Sequence, residues 1–381
     1  MLRSDFSLDA LTRAPDVEGP ELVAVDATDR LVLDTAADRL TDAGAGEVVV
    51  LGDRHGALAL GAWGLHGASR VRVHQDALLG ERALAANAAT VGAADDIVSL
   101  PLGSDLLDGA RVVLLQLPRS LAELDEWAQA IARFAARDVV VVAGGRIKHM
   151  SLGMNDVLRR SFERLDIGHA RQKSRVLVAA DPRADLVPDE FPAVADLRAD
   201  ELPGGGIRIS AHGGVFAGAS LDIGTRALLS HLHQLPETGD VIDLGSGSGV
   251  IAVAAALARP GLRLVAIDQS AAAVASTRAT AAANGLDDRI DAVREDGLVE
   301  RPDASADLIL CNPPFHSGSA VSDDLAERML RDAGRVLRPG GEVWTVFNSH
   351  LRYRPMLDRV VGPTAELSRT PKFTVTRSTR R

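Results

Sequence analysis

The chain of 381 residues has a single cysteine, Cys311, which excludes an internal disulfide framework and any cysteine-based metal cluster. That cysteine closes the apolar run Leu308-Ile309-Leu310-Cys311, which reads as a packed thiol rather than a nucleophile. Long uninterrupted apolar segments are also missing, so no membrane-spanning helix is expected. Met1-Leu2-Arg3-Ser4-Asp5 holds no signal-peptide core, and the expected compartment is the cytoplasm. Positive charge is not in excess either. With 42 Lys and Arg against 52 Asp and Glu, the formal net charge of −10 argues against a uniformly basic nucleic-acid binder. It leaves room for a local basic surface, because phosphate contacts need only local charge. Basic residues do bunch. Arg146, Lys148, Arg159, Arg160, Arg164, Arg171, Lys173 and Arg175 fall in one stretch, and Arg369, Lys372, Arg377, Arg380 and Arg381 close the chain.

What is present describes an ordinary protein with real cores: 46% hydrophobic and 25% charged residues. The length calls for two domains, since single cores rarely grow beyond about 250–300 residues. In the first half, residues 31–33 and 47–51 read as short strands, and 71–74, 112–115 and 139–143 as further ones. Helices are expected at 57–63, through Asn87, at 121–136 and from Ser151, before a hairpin whose second arm is 175–180. Residues 181–206, with several prolines, acids and Gly204-Gly205-Gly206, read as a linker. The second half alternates more sharply. Strands are expected at 241–244, 264–267 and 342–347, helices at 250–258, 271–284 and about 324–337, and a hairpin at 366–376. Alternation of this kind predicts α/β architecture with doubly wound, mainly parallel sheets.

The two halves can be laid on one another. Leu51-Gly52 falls on Leu244-Gly245, Gly56 on Gly249, and Gln116-Leu117-Pro118 on Asn312-Pro313-Pro314. The chemistry does not carry over: Val50 replaces Asp243, Arg54 replaces Gly247 and Leu117 replaces Pro313. The reading is a duplicated Rossmann-like fold with a degenerate N-terminal copy at 1–190 and an active copy at 200–381.

Two stretches of the second half carry chemistry. Asp243-Leu244-Gly245-Ser246-Gly247-Ser248-Gly249 ends a strand in a glycine turn, where glycine lets a ligand approach the backbone closely. Asp268 closes the next strand 23 residues after Gly245, in position to accept from ribose hydroxyls. This pattern alone fits a nicotinamide dinucleotide as well as S-adenosylmethionine. Asp243 shifts the balance, because a carboxylate there repels a pyrophosphate and suits a cationic amino-acid ligand. Asp296, in Arg294-Glu295-Asp296-Gly297, is a candidate for an adenine amino group or a plain surface acid. The second stretch is Asn312-Pro313-Pro314-Phe315. Two prolines stop the strand and stiffen the chain beyond it. Asn312 and the proline carbonyls offer acceptors for an amino group, and Phe315 a flat face for a planar base.

The string Asn312 to Gly318 resembles the ribosomal RNA guanine-N2 methyltransferases of the RsmC/RlmG group, class I S-adenosylmethionine-dependent enzymes. Gly214-Val215-Phe216, Leu221-Asp222-Ile223-Gly224 and Asn348-Ser349-His350-Leu351-Arg352-Tyr353 carry the same resemblance. That group is also similar in having two tandem methyltransferase-like domains, the first degenerate. The Asn-Ser-His-Leu-x-Tyr and Pro-Lys-Phe segments look like the large-subunit enzymes, and Phe-His-Ser-Gly like the small-subunit ones. Both assignments stay open.

The resemblance implies methyl transfer to the exocyclic N2 of a guanine in 16S or 23S RNA. It implies S-adenosylmethionine held by Asp243, Gly245, Gly247, Gly249, Asp268, Asp296 and Asn312. Asn312, Pro313, Pro314 and Phe315 would form the catalytic corner, with His316 as a base, a structural histidine or an RNA contact. The N-terminal domain would hold ribosomal RNA or a ribosomal subunit, and the chain is expected to be monomeric, metal-free and unattached to membranes. Rival readings are a dehydrogenase, a methyltransferase of protein glutamine or adenine, and an RNA-binding protein with a vestigial cofactor site.

Overall fold

The structure, a computed structural model, describes residues 6–19, 22–313, 320–351 and 353–381, with the backbone alone at 320–326. The chain divides into two units, Met1–Glu190 and Phe191–Arg381.

The first unit begins with α1 (Ala27–Asp42), then runs β1 (Val48–Leu51), α2 (Ala57–His66), β2 (Val71–His74), α3 (Leu78–Val91) and β3 (Ile97–Ser99). The short α4 (Ser104–Leu107), β4 (Val112–Gln116), α5 (Leu121–Phe134), β5 (Val140–Arg146) and α6 (Leu152–Ser161) come next, before the antiparallel pair β6 (Phe162–Ile167) and β7 (Ser174–Pro182). The seven strands lie in the order β3-β2-β1-β4-β5-β7-β6. Strand β1 is fully buried, as a strand covered by helices on both faces must be.

The second unit opens with a two-stranded ribbon, β8 (Ala193–Arg198) and β9 (Gly206–Ala211), and α7 (Ile223–Leu229). Then come β10 (Thr238–Leu244), α8 (Val250–Ala258), β11 (Gly261–Asp268), α9 (Ala271–Ala283), β12 (Ile290–Arg294) and β13 (Ala306–Cys311). The unit ends with α10 (Ala320–Val336), β14 (Leu337–Asn348), α11 (Arg354–Val360), β15 (Thr364–Arg369) and β16 (Phe373–Thr379). Its sheet order is β12-β11-β10-β13-β14-β16-β15, strand for strand that of the first unit. Helix α8 is apolar all round and buried from Val250 to Ala256, and its small alanines let it lie close on the sheet. Each hydrophobic cluster draws its residues from one unit alone.

Two expectations fail. Residues 31–33 are not a strand but the middle of α1. The helix starts at Asp26, whose side chain accepts from Thr28 and Asp29 N–H groups while Asp29 accepts from Asp26 N, a reciprocal cap. Val32, Leu33, Ala36 and Leu40 then bury one helical face, a period hidden by a three-residue window. The expected linker 181–206 is also too long. Residues 193–198 pair with β9, whose Ile207 and Ile209 are buried in the second unit's core.

Candidate active site

Strand β10 is flanked by β11 on one side and β13 on the other, all three parallel. Their C-terminal ends therefore meet at the switch point of the sheet, where open α/β sheets place ligands. Leu244 stands level with Ile267 of β11 and with Cys311 of β13. The glycine turn, Asp268 and Asn312 extend directly from these three ends.

The turn is held by backbone bonds from Gly245 and Ser246 N to Ile267 O at 2.9 and 3.0 Å, and from Gly249 N to Ser246 O at 2.8 Å. Gly245, Gly247 and Gly249 take φ of 76°, 54° and 79°, the left-handed region that glycine enters without cost. A Cβ on Gly245 or Gly247 would meet nothing within 4 Å, so the space above both is open. A Cβ on Gly249 would lie 2.9 Å from Thr277 Cα, so the third glycine serves the contact between helices α8 and α9. Thr277 also bonds Ser246 Oγ at 3.0 Å and Gly247 O at 3.2 Å.

Asp268 faces the turn: its Oδ2 accepts from Gly247 N and its Oδ1 from Ser270 N, both at 3.0 Å. Asp243 is fully buried beneath it. Its Oδ2 accepts from Ala252 N at 3.0 Å, while Oδ1 has no hydrogen-bond partner among the described residues. Burial first, then the charge of Asp268, pushes the Asp243 carboxyl up to about 7 despite the Ala252 hydrogen bond. An orphaned carboxylate oxygen costs free energy unless a ligand donates to it. Asp296 lies at the end of β12 with one oxygen 3.1 Å from the Arg328 guanidinium. Cys311 is buried, and burial raises its thiol far above the usual range, which leaves it inert.

Asn312 is the most constrained of the polar groups. Its Nδ2 donates to Thr225 Oγ1 at 2.9 Å and lies 3.3 Å from Asp222 Oδ2. Asp222 meanwhile caps α7 by accepting from Gly224 and Thr225 N–H groups. A carboxylate accepts only, so it fixes which end of the amide faces it. The carbonyl oxygen of Asn312 is left to accept, and no described residue donates to it. Asp222 and Thr225 were not named as site residues from sequence, although Asp222-x-x-Thr225 is a helix-start pattern. Pro313 is buried. Pro314, Phe315, His316, Ser317 and Gly318 lie outside the described residues.

The first unit repeats the framework without the ligands. Leu51 stands level with His74 and Leu115, as Leu244 does with its neighbours, which puts Gln75 where Asp268 is and Gln116 where Asn312 is. Gln75 lies 23 residues after Gly52, the spacing of Asp268 from Gly245, so the sequence held that signal. Gly52, Arg54 and Gly56 take φ of 73°, 53° and 98°, the same left-handed pattern with an arginine at its centre. A Cβ on Gly52 would meet the Trp127 ring at 3.1 Å, where Gly245 has open space. Asp53 accepts from Leu58 and Ala59 N at 2.7 and 2.8 Å, doing for α2 what Asp243 does for α8.

A cavity of about 540 Å³ opens at the opposite, N-terminal ends of the strands of the second sheet. Asp240 and Arg263 in its wall already bond each other at 2.6 Å, and it holds no residue of the switch point. Among the described residues no group of His, Cys, Asp or Glu is placed to hold a metal, and no helix is long and apolar enough to cross a membrane.

Residues 206–377 match the family model described as methyltransferase small domain, and residues 2–183 the model described as RLMG N-terminal domain. Curated relatives cover almost the whole chain. The ribosomal RNA large subunit methyltransferase G of Streptomyces griseus is 35% identical over 380 residues, 97% of each chain. The protein of the same name from Streptomyces coelicolor is 37% identical over 372 residues, 96% of each. That of Pseudomonas fluorescens Pf-5 is 35% identical over 377 residues, 98% of each. Among solved structures, the T. thermophilus 16S rRNA N2 methyltransferase RsmC, in complex with AdoMet and guanosine, superposes with a TM-score of 0.72. That match covers 91% of this chain and 92% of the other at 22% identity, and shows a shared two-unit fold.

Proposed function

The chain belongs to the ribosomal RNA large subunit methyltransferase G family, and from that premise we propose that it methylates the exocyclic N2 of a guanine in large-subunit ribosomal RNA. The donor in this reading is S-adenosylmethionine, which supplies an electrophilic methyl group on a sulfonium. The residues present fit it on one observation: the orphaned, buried Oδ1 of Asp243 needs a donor, and an amino-acid ammonium is one. Asp268 is assigned the ribose hydroxyls, Asp296 the adenine amine, and Gly245, Gly247 and Gly249 the close backbone approach.

The observation that carries the reading is the fixed amide of Asn312. Thr225 and Asp222 hold its nitrogen, so its oxygen is presented as an acceptor for the target amine. A guanine N2 is a poor nucleophile because its lone pair is delocalised into the ring. Hydrogen bonds from the amine to the Asn312 oxygen and the Pro313 carbonyl orient it and stabilise positive charge developing on it. As the nitrogen–methyl bond forms the sulfur–methyl bond would break, a neutral thioether would leave, and the surplus proton of the amine would pass to solvent. Pro314 and Phe315 complete the corner, with Phe315 stacked on a base taken out of its helical context. One chain carries every group invoked, and a cytoplasmic setting is the one its substrate requires.

The test is single-turnover methylation of large-subunit RNA, with product nucleosides identified by mass. Wild type should yield N2-methylguanosine, and Asn312→Ala should slow the step by about tenfold to a thousandfold. A methylated adenine, a methylated protein side chain, or an undiminished rate in Asn312→Ala would each defeat the proposal.

A further inference from the structure

The N-terminal unit keeps a cavity at the place where its twin binds its ligand. About 260 Å³ in volume, it is walled by the turn around Arg54, by Gln116 at the end of β4, and by the segment Arg146 to Met150 at the end of β5. Its acids are all engaged from within the unit. Asp26 pairs with Arg146 at 3.0 Å, and Asp53 is held by the amides of Leu58 and Ala59. Asp29 accepts from Asp26 N at 2.7 Å and from Gln116 Nε2. Burial raises Asp29 to about 7 and Asp53 to about 8, which takes much of their negative charge out of the cavity.

The cations are not balanced in the same way. Arg13 has Asp16 at 2.8 Å, but Arg54, Arg119 and Lys148 have no ion pair or hydrogen bond among the described residues, although the charge of Arg54 acts on the buried Asp29 and lowers its pKa against burial. All three are exposed at the cavity. They share one field there, since each of them lowers the pKa of His149, after burial itself. Elsewhere in the basic stretch, Arg159, Arg160, Arg164 and Arg171 each lie against an aspartate. Three cations without an ion pair among the described residues thus meet at the old ligand pocket.

We propose that this pocket binds the backbone phosphates of the RNA substrate through Arg54, Arg119 and Lys148, the cofactor site of the first copy having become an RNA-holding site. The identity of the occupant rests on the reading of the chain as an RNA methyltransferase. Arginine forks and a lysine ammonium suit phosphate oxygens. The pocket no longer suits the cofactor: Gln75 stands in for Asp268, Val50 for Asp243, and the Trp127 ring closes the space over Gly52.

The experiment uses the full chain and the variant Arg54→Gly/Arg119→Ala/Lys148→Ala, with Arg54→Lys/Arg119→Lys as a charge-keeping control. Binding to large-subunit RNA is measured across a salt series, beside S-adenosylmethionine affinity and methylation kinetics. Loss of three phosphate contacts should make log K against log salt shallower by about 2. The KM for RNA should rise by roughly tenfold with kcat unchanged. Cofactor affinity should stay at the wild-type value, the circular-dichroism spectrum and thermal melt of the full chain should match wild type, which reports that the first unit is folded, and the control should recover most RNA affinity. A wild-type salt slope in the triple variant overturns the proposal. So does a pocket that takes free 5′-guanylate while RNA affinity ignores the three cations. If wild type methylates no ribosomal RNA, yet its RNA binding still depends on these cations, the functional reading fails and the pocket stands.

Discussion

At the scale of single residues, the two copies solve one problem with two aspartates. The buried N–H groups at the start of α2 and of α8 have no partner within their own helix and need an acceptor, and both copies bury a carboxylate to supply it. In the first copy Asp53 spends both oxygens on amides, whereas Asp243 spends one and leaves Oδ1 without a partner among the described residues. The cost is visible in its titration. The folded chain holds the Asp243 proton to about pH 7, whereas an unfolded chain releases it near the ordinary 3.8. Its contribution to stability is therefore whole below about pH 4 and is lost as pH rises through 7. Asp243→Asn should melt higher than wild type at pH 8 and lose that advantage at pH 4, a difference read from paired thermal melts. Cofactor binding should run the other way. Below about pH 7 the carboxyl must shed a proton before it can meet an ammonium, so affinity should fall by up to about tenfold per pH unit. Calorimetry in buffers of different ionisation enthalpy checks the accompanying proton release. A pH-independent affinity would remove Asp243 from the site. Asp268→Ala should weaken binding by roughly 1.5–3 kcal/mol, the range for a hydrogen bond to a charged group.

At the scale of elements, the strand–turn–helix units β1–α2 and β10–α8 share backbone angles but not side chains. Gly249 sits at φ 79° with Thr277 Cα 2.9 Å from any Cβ it might carry. Gly249→Ala should cost about 1–2 kcal/mol from the backbone alone, and more from the contact. Arg54 already bears the left-handed cost at φ 53°, so Arg54→Gly should be neutral or slightly stabilising. Differential scanning of the two variants decides it; equal losses would mean the turns are not equivalent. These turns were legible in the sequence because glycine marks positive φ wherever it recurs at alternate positions. Residues 31–33 were misread because three apolar residues fit either period. The deciding signal, the reciprocal cap of Asp26 and Asp29, lies outside that window. Strand β8 was hidden by flanking prolines and acids and is defined only by pairing with β9. The grip of Thr225 on Asn312 joins residues 87 positions apart, and no local pattern announces such a contact.

At the scale of the molecule, the repeated strand order shows one fold used twice. The second unit carries the open glycine turn, Asp243, Asp268, Asp296 and Asn312, and its hydrophobic clusters contain no residue of the first. A fragment beginning at Phe191, which retains the β8–β9 pair, should therefore fold and bind S-adenosylmethionine as the full chain does. The full chain should bind one equivalent, because Gln75, Arg54 and Trp127 stand where the first copy would need a carboxylate, a glycine and open space. Methylation should separate from cofactor binding. Without Arg54, Arg119 and Lys148 the fragment lacks the proposed phosphate contacts, and its second-order rate on ribosomal RNA should fall at least tenfold, most steeply at low salt. Calorimetry gives the stoichiometry, and methyl incorporation at two salt concentrations gives the rest. Two cofactor equivalents per full chain would show that the first copy is not degenerate. Full activity of the fragment would show that the first copy does not hold the substrate. If the fragment binds cofactor normally and its remaining activity no longer depends on salt, the first unit is where the RNA backbone is gripped.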